Sequence, residues 1–191
     1  MLARYNTLST KETGDPTMEE LLDLFTAHGE PTGVTIRRGE EAPAGMYWAV
    51  CDVWLTTPEG QVLIQRRADS KPNHPGQWCS SAGGAVQSGE SPEAAALRET
   101  REEIGITPDF RRGGKVFEFV GHKALHHVFV FCQPVCPEQL TLQDEEVSDA
   151  RLATPEEILR MAREGSFVPM GYLRQLMDML PVLIHAYGKE E

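Results

Sequence analysis

Arg98, Glu99, Glu102 and Glu103 lie within six residues of one another, at spacings that suit a helix. At 3.6 residues per turn, positions three and four apart share a face. The three carboxylates therefore stand together, while Leu97, Thr100 and Ile104 turn the opposite way, toward a core. Like charges at this spacing cost a helix roughly a few tenths of a kcal/mol per pair, which a divalent cation would offset. Hard carboxylate oxygens suit Mg²⁺ or Mn²⁺, and Mg²⁺ keeps several waters while bridging to substrate phosphates. The chemistry that follows is attack of water on phosphorus. Three glutamates taken alone fit a solvated helix face equally well, so the residues around them decide.

Those residues define the helix and what surrounds it. Ser91 followed by Pro92 starts it, because Ser caps free amides and Pro fits the first turn, and Gly105 ends it. Upstream, Tyr47 to Leu55 and Gln61 to Arg67 are strand-forming runs joined by Pro58, Glu59 and Gly60, which predicts a hairpin. A loop from Ala68 to Gln77 carries Pro72 and Pro75, and Trp78 then opens a short strand that enters a turn at Gly83 and Gly84. Met18 to Phe25 reads as a brief helix or strand, and Val34 to Ile36 as a strand. Val116 to Val120 and His126 to Phe131 predict further strands, while Pro155 to Arg163 and Tyr172 to His185 have helical spacing. The chain is mixed α and β without internal repeats.

Of the 191 residues, 40% are hydrophobic and 25% charged, within the range of one ordinary globular domain. Residues 1–17 are polar and broken by Gly14 and Pro16, which predicts a loose tail ahead of a single domain over 18–191. The formal charge of −11 opposes the phosphate contacts that dominate nucleic-acid affinity, so no nucleic-acid polymer is expected as a partner. No run approaches the roughly 18 to 20 apolar residues of a membrane helix, and Met1 to Thr17 lacks a signal-peptide core. No membrane partner and a cytoplasmic location are expected. Cys51, Cys79, Cys132 and Cys136 are scattered; the last two could ligate zinc, but two ligands do not complete a tetrahedral site, so reduced, partly buried thiols are expected.

The full pattern is Gly84-x5-Glu90-x7-Arg98-Glu99-Thr100-x-Glu102-Glu103-x-Gly105-Ile106. It resembles the Nudix box, with Thr100 where the family usually has an aliphatic residue. The resemblance implies an α/β fold, an α/β/α sandwich around a mixed sheet, and a Mg²⁺- or Mn²⁺-dependent hydrolase of a small-molecule diphosphate substrate, with a homodimer as a family expectation. It implies Glu99, Glu102 and Glu103 as metal ligands, with the Gly83 carbonyl and Glu146 as further candidates. Glu99, Glu102 and Glu146 with Arg98, which would orient a ligating Glu, form the candidate catalytic set. Glu90 would hydrogen-bond within the box. Glu146 belongs to the acidic run Asp144, Glu145, Glu146, just before a Val147 to Leu152 segment resembling a later strand of the family.

Similarity beyond the box points to the branch that contains isopentenyl-diphosphate isomerase. It rests on Gly29 to Gly33, Gly60 to Arg67, Pro75-Gly76-Gln77-Trp78 and Gly89-Glu90-Ser91. By position, Arg67 and Lys71 resemble the cations that grip the diphosphate there, with solvated loop charges as the plain alternative. The isomerase requires a Cys just before the box and a His-rich metal site. Here the Cys position holds Gly83, one His position holds Ala85, and an upstream His is replaced by Trp48. With the acidic box intact, hydrolysis is the expected reaction, and an isomerase-like enzyme or a non-catalytic ligand-binding module are the alternatives. His126 and His127 cannot both face one site on a strand, so substrate contact or a surface place is expected for them and for His122. Trp48, Trp54 and Trp78 could stack on a ligand, although strand aromatics are more often core. Nucleoside, sugar and prenyl diphosphates all remain open as substrates.

Overall fold

The computed structural model describes residues 20–121 and 123–188. The reading of residues 1–17 as a tail, and of His122 as a substrate or surface residue, falls outside them. Among the described residues nine strands form one mixed sheet. Its centre is β3 (Tyr47–Thr56), an apolar run long enough to pair on both edges. One edge runs parallel to β8 (Ala124–Cys132) from Trp48↔Ala124 to Thr56↔Cys132. The other meets three partners in turn: β1 (Leu21–Phe25) at Tyr47 and Trp48, β6 (Ala82–Ala85) at Val50 to Val53, and β4 (Val62–Arg67) at Thr56. Outside these, β2 (Pro31–Arg37) pairs with β1 and β7 (Gly113–Val120) with β8, while β5 (Trp78–Cys79) and β9 (Val147–Ala153) flank β4.

The hairpin predicted for β3 and β4 forms only at its turn, where Thr56 faces Val62. Beyond that point the strands part and β6 takes the place beside β3. Ser81 holds the fork: its hydroxyl donates to the Leu63 carbonyl at 2.6 Å and accepts from the Leu55 amide at 2.8 Å. The turn predicted at Gly83 and Gly84 is instead the middle of β6. A Cβ on Gly83 would lie 2.5 Å from the Cys51 carbonyl oxygen, so the glycine serves close strand packing rather than a reversal. Met18 and Glu19 lie outside the described residues, and Leu21–Phe25 of the Met18 to Phe25 run is strand.

Helices cover the two faces, giving an α/β/α sandwich. On one side α1 (Pro92–Ile104) packs Ala95, Ala96 and Ile104 on Cys51, Val53 and Phe129. On the other, α2 (Pro155–Glu164) and α3 (Leu173–Tyr187) pack Ile158, Leu173, Leu176 and Leu180 on Trp54 and Val128. Ser91 caps α1 by accepting from the Ala94 amide at 3.1 Å, and Gly105 closes it at φ 75°, where a side chain would be strained. Thr100 fits the buried face because its hydroxyl donates to the Ala96 carbonyl at 2.7 Å. Cys51, Cys79 and Cys132 are buried free thiols and Cys136 is exposed, and the Cys132–Cys136 segment leaves the sheet at the end of β8. Among the described residues no helix is long and apolar enough to cross a membrane.

Candidate active site

The expected division of α1 into an acidic face and an opposite apolar face does not hold. Glu103 is only 5% exposed and shares the covered side with Ala96, Thr100 and Ile104, whereas Leu97 is only half-buried. A single Glu103 oxygen accepts from the Gln65 side-chain amide at 2.8 Å and from the Gly83 amide at 3.1 Å. Both donors are neutral. Burial first, and the nearby Glu99 charge second, push the Glu103 carboxyl up to about 8. Glu99 lies flat on Gly84, where any Cβ would come within 2.3 Å of its oxygen. Its carboxyl is also raised, chiefly by burial. Glu102 points outward, its side chain 54% exposed.

Arg98 ties the helix to the loop before it. Its Nε and one terminal nitrogen donate to Glu90 at 3.0 and 2.9 Å, and that same terminal nitrogen reaches the Ala85 carbonyl at 3.1 Å. The other terminal nitrogen donates to Glu99 at 2.7 Å and to Glu102 at 3.3 Å. The Glu90 hydrogen bonds are the main reason the guanidinium is held more firmly protonated than usual. Although burial, the largest influence, pulls Glu90 upward, the Arg98 and Gln87 hydrogen bonds outweigh it and keep the carboxyl below the ordinary range. In this arrangement Arg98 positions Glu99, and Glu90 anchors Arg98.

Gly83 and Gly84 line a cleft of about 1170 Å³. Its floor is built from Val50 and Asp52 of β3 and His126 of β8, and one wall from residues 38–48. Arg67 faces the cleft and donates from Nε to the Asn73 carbonyl at 3.0 Å. Lys71 and Glu146, read separately as a phosphate cation and a ligand or base, form an ion pair with each other. Their place beside the box follows from β9, which carries Glu146 to β4, where the Glu146 carbonyl accepts from the Ala68 amide at 2.9 Å.

Four further residues belong to this region. Gln65 contacts Glu103, and Asp52 and His126 form a pair with 3.0 Å between Asp52 Oδ2 and His126 Nδ1. Arg38 lines the cleft and donates to Glu20 at 2.6 Å. Gln65 and Asp52 left a signal in the sequence, since each is a polar residue inside an otherwise apolar strand. Arg38 left none.

Among the described residues, no three His, Cys, Asp or Glu side chains form a ready-made ligand cage. The donor set nonetheless suits a hard divalent ion, which needs only one or two carboxylates when waters and phosphate oxygens complete its shell. The buried Glu103 and the partly buried Glu99 converge there, and Gln65 Oε1, a further oxygen donor, is buried without a hydrogen-bond partner.

The sheet between helices, with an acidic helix packed on the two glycines that line a cleft, defines the class of fold, and comparison with known proteins agrees. The NUDIX domain family model matches residues 46–170. An uncharacterized Nudix hydrolase of Listeria monocytogenes is 36% identical over 162 residues, covering 85% of this chain and 95% of that protein. Isopentenyl-diphosphate Delta-isomerase of Streptomyces avermitilis is 28% identical over 170 residues, covering 83% and 84%. A crystal structure of a Deinococcus radiodurans protein matches with a TM-score of 0.69 at 28% identity, covering 84% of this chain and 99% of that one. The chain belongs to the Nudix family.

Proposed function

We propose that this Nudix protein hydrolyses a small-molecule diphosphate with Mg²⁺ or Mn²⁺, using the carboxylates of α1. The observation that carries the reading is the pair Glu99 and Glu103, the first packed on Gly84 and the second buried against Gly83, two glycines that line the cleft, with only neutral donors on Glu103. Burying a carboxylate without a cation is costly, and Glu103 has only neutral donors while its neighbour Glu99 already holds Arg98. Glu99, Glu103, Glu102, Glu146 and the Gly83 carbonyl are the oxygens that would hold the ion. When bound, it would orient water and neutralise charge developing on the phosphate.

The chain's own groups supply the rest. Arg98 fixes Glu99, and Arg67 offers a cation to the diphosphate. Substrate phosphate competes for Lys71 and so releases Glu146 to accept a proton from the attacking water. The water oxygen bonds to phosphorus, the bridging P–O bond breaks, and the leaving phosphate takes the electron pair. An isomerase reading is disfavoured because Gly83 has no room for the cysteine that reaction requires. The test is release of phosphate or of phosphomonoester from nucleoside, sugar, coenzyme and prenyl diphosphates with Mg²⁺ or with chelator, for the parent and E99Q. Activity in the parent that chelator and E99Q both abolish supports the proposal; equal rates in the parent and E99Q refute it.

A further inference from the structure

The cleft floor carries polar groups that the phosphate chemistry does not use. Along β3, Cys51 and Val53 pack toward α1, while Asp52 and Trp54 belong to the opposite face. Asp52 is thus a carboxylate in the middle of an apolar strand, and its side chain is only 16% exposed. Besides His126, it meets the buried Tyr172 hydroxyl, which accepts from Trp54 Nε1 at 3.3 Å. Phe119 stacks on the His126 ring at 4.8 Å with 7° between planes, which fixes the ring's orientation.

A carboxylate at Nδ1 selects the tautomer with its proton on that nitrogen, leaving Nε2 as an acceptor. Among the described residues, no protein donor bonds to Nε2. Asp52 is also the register partner of Gly83 across the β3–β6 pair. Whatever is attached to a diphosphate held at Gly83 and Gly84 can therefore lie over Asp52 and His126, within the cleft that Trp48 and Met170 also line.

We propose that Asp52 and His126 are specificity-determining residues that accept hydrogen bonds from hydroxyl or amino groups on the moiety attached to the diphosphate, selecting it over a hydrocarbon chain. The proposal rests on the hydrolase reading only for the place of the diphosphate. A prenyl chain laid across this floor strips water from a carboxylate and an imidazole and returns no hydrogen bond. Sites built to pair a polar group reject partners lacking it far more strongly than apolar sites reject an extra methylene.

Calorimetric binding of a nucleoside diphosphate sugar and of geranyl diphosphate, with Ca²⁺ in place of Mg²⁺ to suppress turnover, tests this. The parent should bind the sugar nucleotide at least about tenfold more tightly. H126F, which keeps the stack on Phe119, should lose most of that preference by weakening the sugar nucleotide alone, and H126Q, which retains an acceptor, should restore part of it. Thermal melts of each variant check folding, and a change of ligand ratio is not produced by loss of fold. Equal binding of the two ligands by the parent, binding of neither, or equal weakening of both in H126F overturns the proposal. The phosphate-release panel reads the hydrolase assignment separately, so either idea can fail without the other.

Discussion

Replacing Glu103 by Gln should make the metal-free protein more stable at high pH while removing its activity. The side chain is 5% exposed, and its carboxyl is raised from 4.5 to about 8, by burial first and the Glu99 charge second. The folded chain then holds a proton that the unfolded chain has released. This group's contribution to stability is therefore fully present below about 4.5 and is lost as pH rises through about 8. At about 1.36 kcal/mol per unit of pKa, the ceiling on that loss is on the order of 5 kcal/mol. Relaxation around the charge should reduce it to a few kcal/mol. E103Q is neutral throughout, and its amide oxygen can still accept from Gln65 and Gly83. Urea unfolding with chelator at pH 5, 7 and 9 should show nearly equal stabilities at pH 5 and a growing advantage for E103Q above it. With Mg²⁺, phosphate release should fall by about 10²-fold or more, the scale of losing one charge-stabilising group in an active site. Parallel stability curves, or activity retained in E103Q, would refute the reasoning.

Changing Gly84 to Ala should cost activity out of proportion to stability, because the new methyl displaces the Glu99 carboxylate, 2.3 Å away, more readily than the strand; kinetics and melting of one preparation compare the two. Changing Thr100 to Val removes one bond to a carbonyl and keeps the volume, so stability should move by no more than about 1 kcal/mol and activity should be unchanged. His127 is held below its ordinary pKa, chiefly by burial and then by Lys115, so its contribution is present above about 6.5 and lost as pH falls through the lower folded value. Urea titrations between pH 5 and 7 should show a flatter pH dependence in H127F than in the parent.

Several strands and the limits of α1 were legible because apolar runs, Ser91-Pro92 and Gly105 act locally. The splaying of β3 from β4 was not, because it depends on Ser81 bonding to both strands and on β6 arriving from elsewhere in the chain. The burial of Glu103 is a different case. Seven residues advance a helix by nearly two turns, so Glu103 lies within about 20° of Ala96. Ala95 and Ala96 mark the side that approaches the sheet most closely, so that comparison carried the orientation. Pairing Glu103 only with the other glutamates concealed it. Lys71 and Glu146 are separated in the chain by all of β5 through β8, and the β4–β9 pairing brings them together.

Gly83 and Gly84 bear the contrast with the isomerase branch furthest. A Cβ at Gly83 would meet backbone, the Cys51 carbonyl, rather than the tip of a movable side chain. A cysteine there requires β3 and β6 to separate, and the same movement would carry away the Gly83 amide that holds Glu103. The spacing that excludes the thiol is thus the spacing that seats the carboxylate. The same register sets Asp52 opposite Gly83, so separating the strands would also shift the cleft floor. In this chain, the exclusion of the thiol and the seating of the carboxylate follow from one strand pairing.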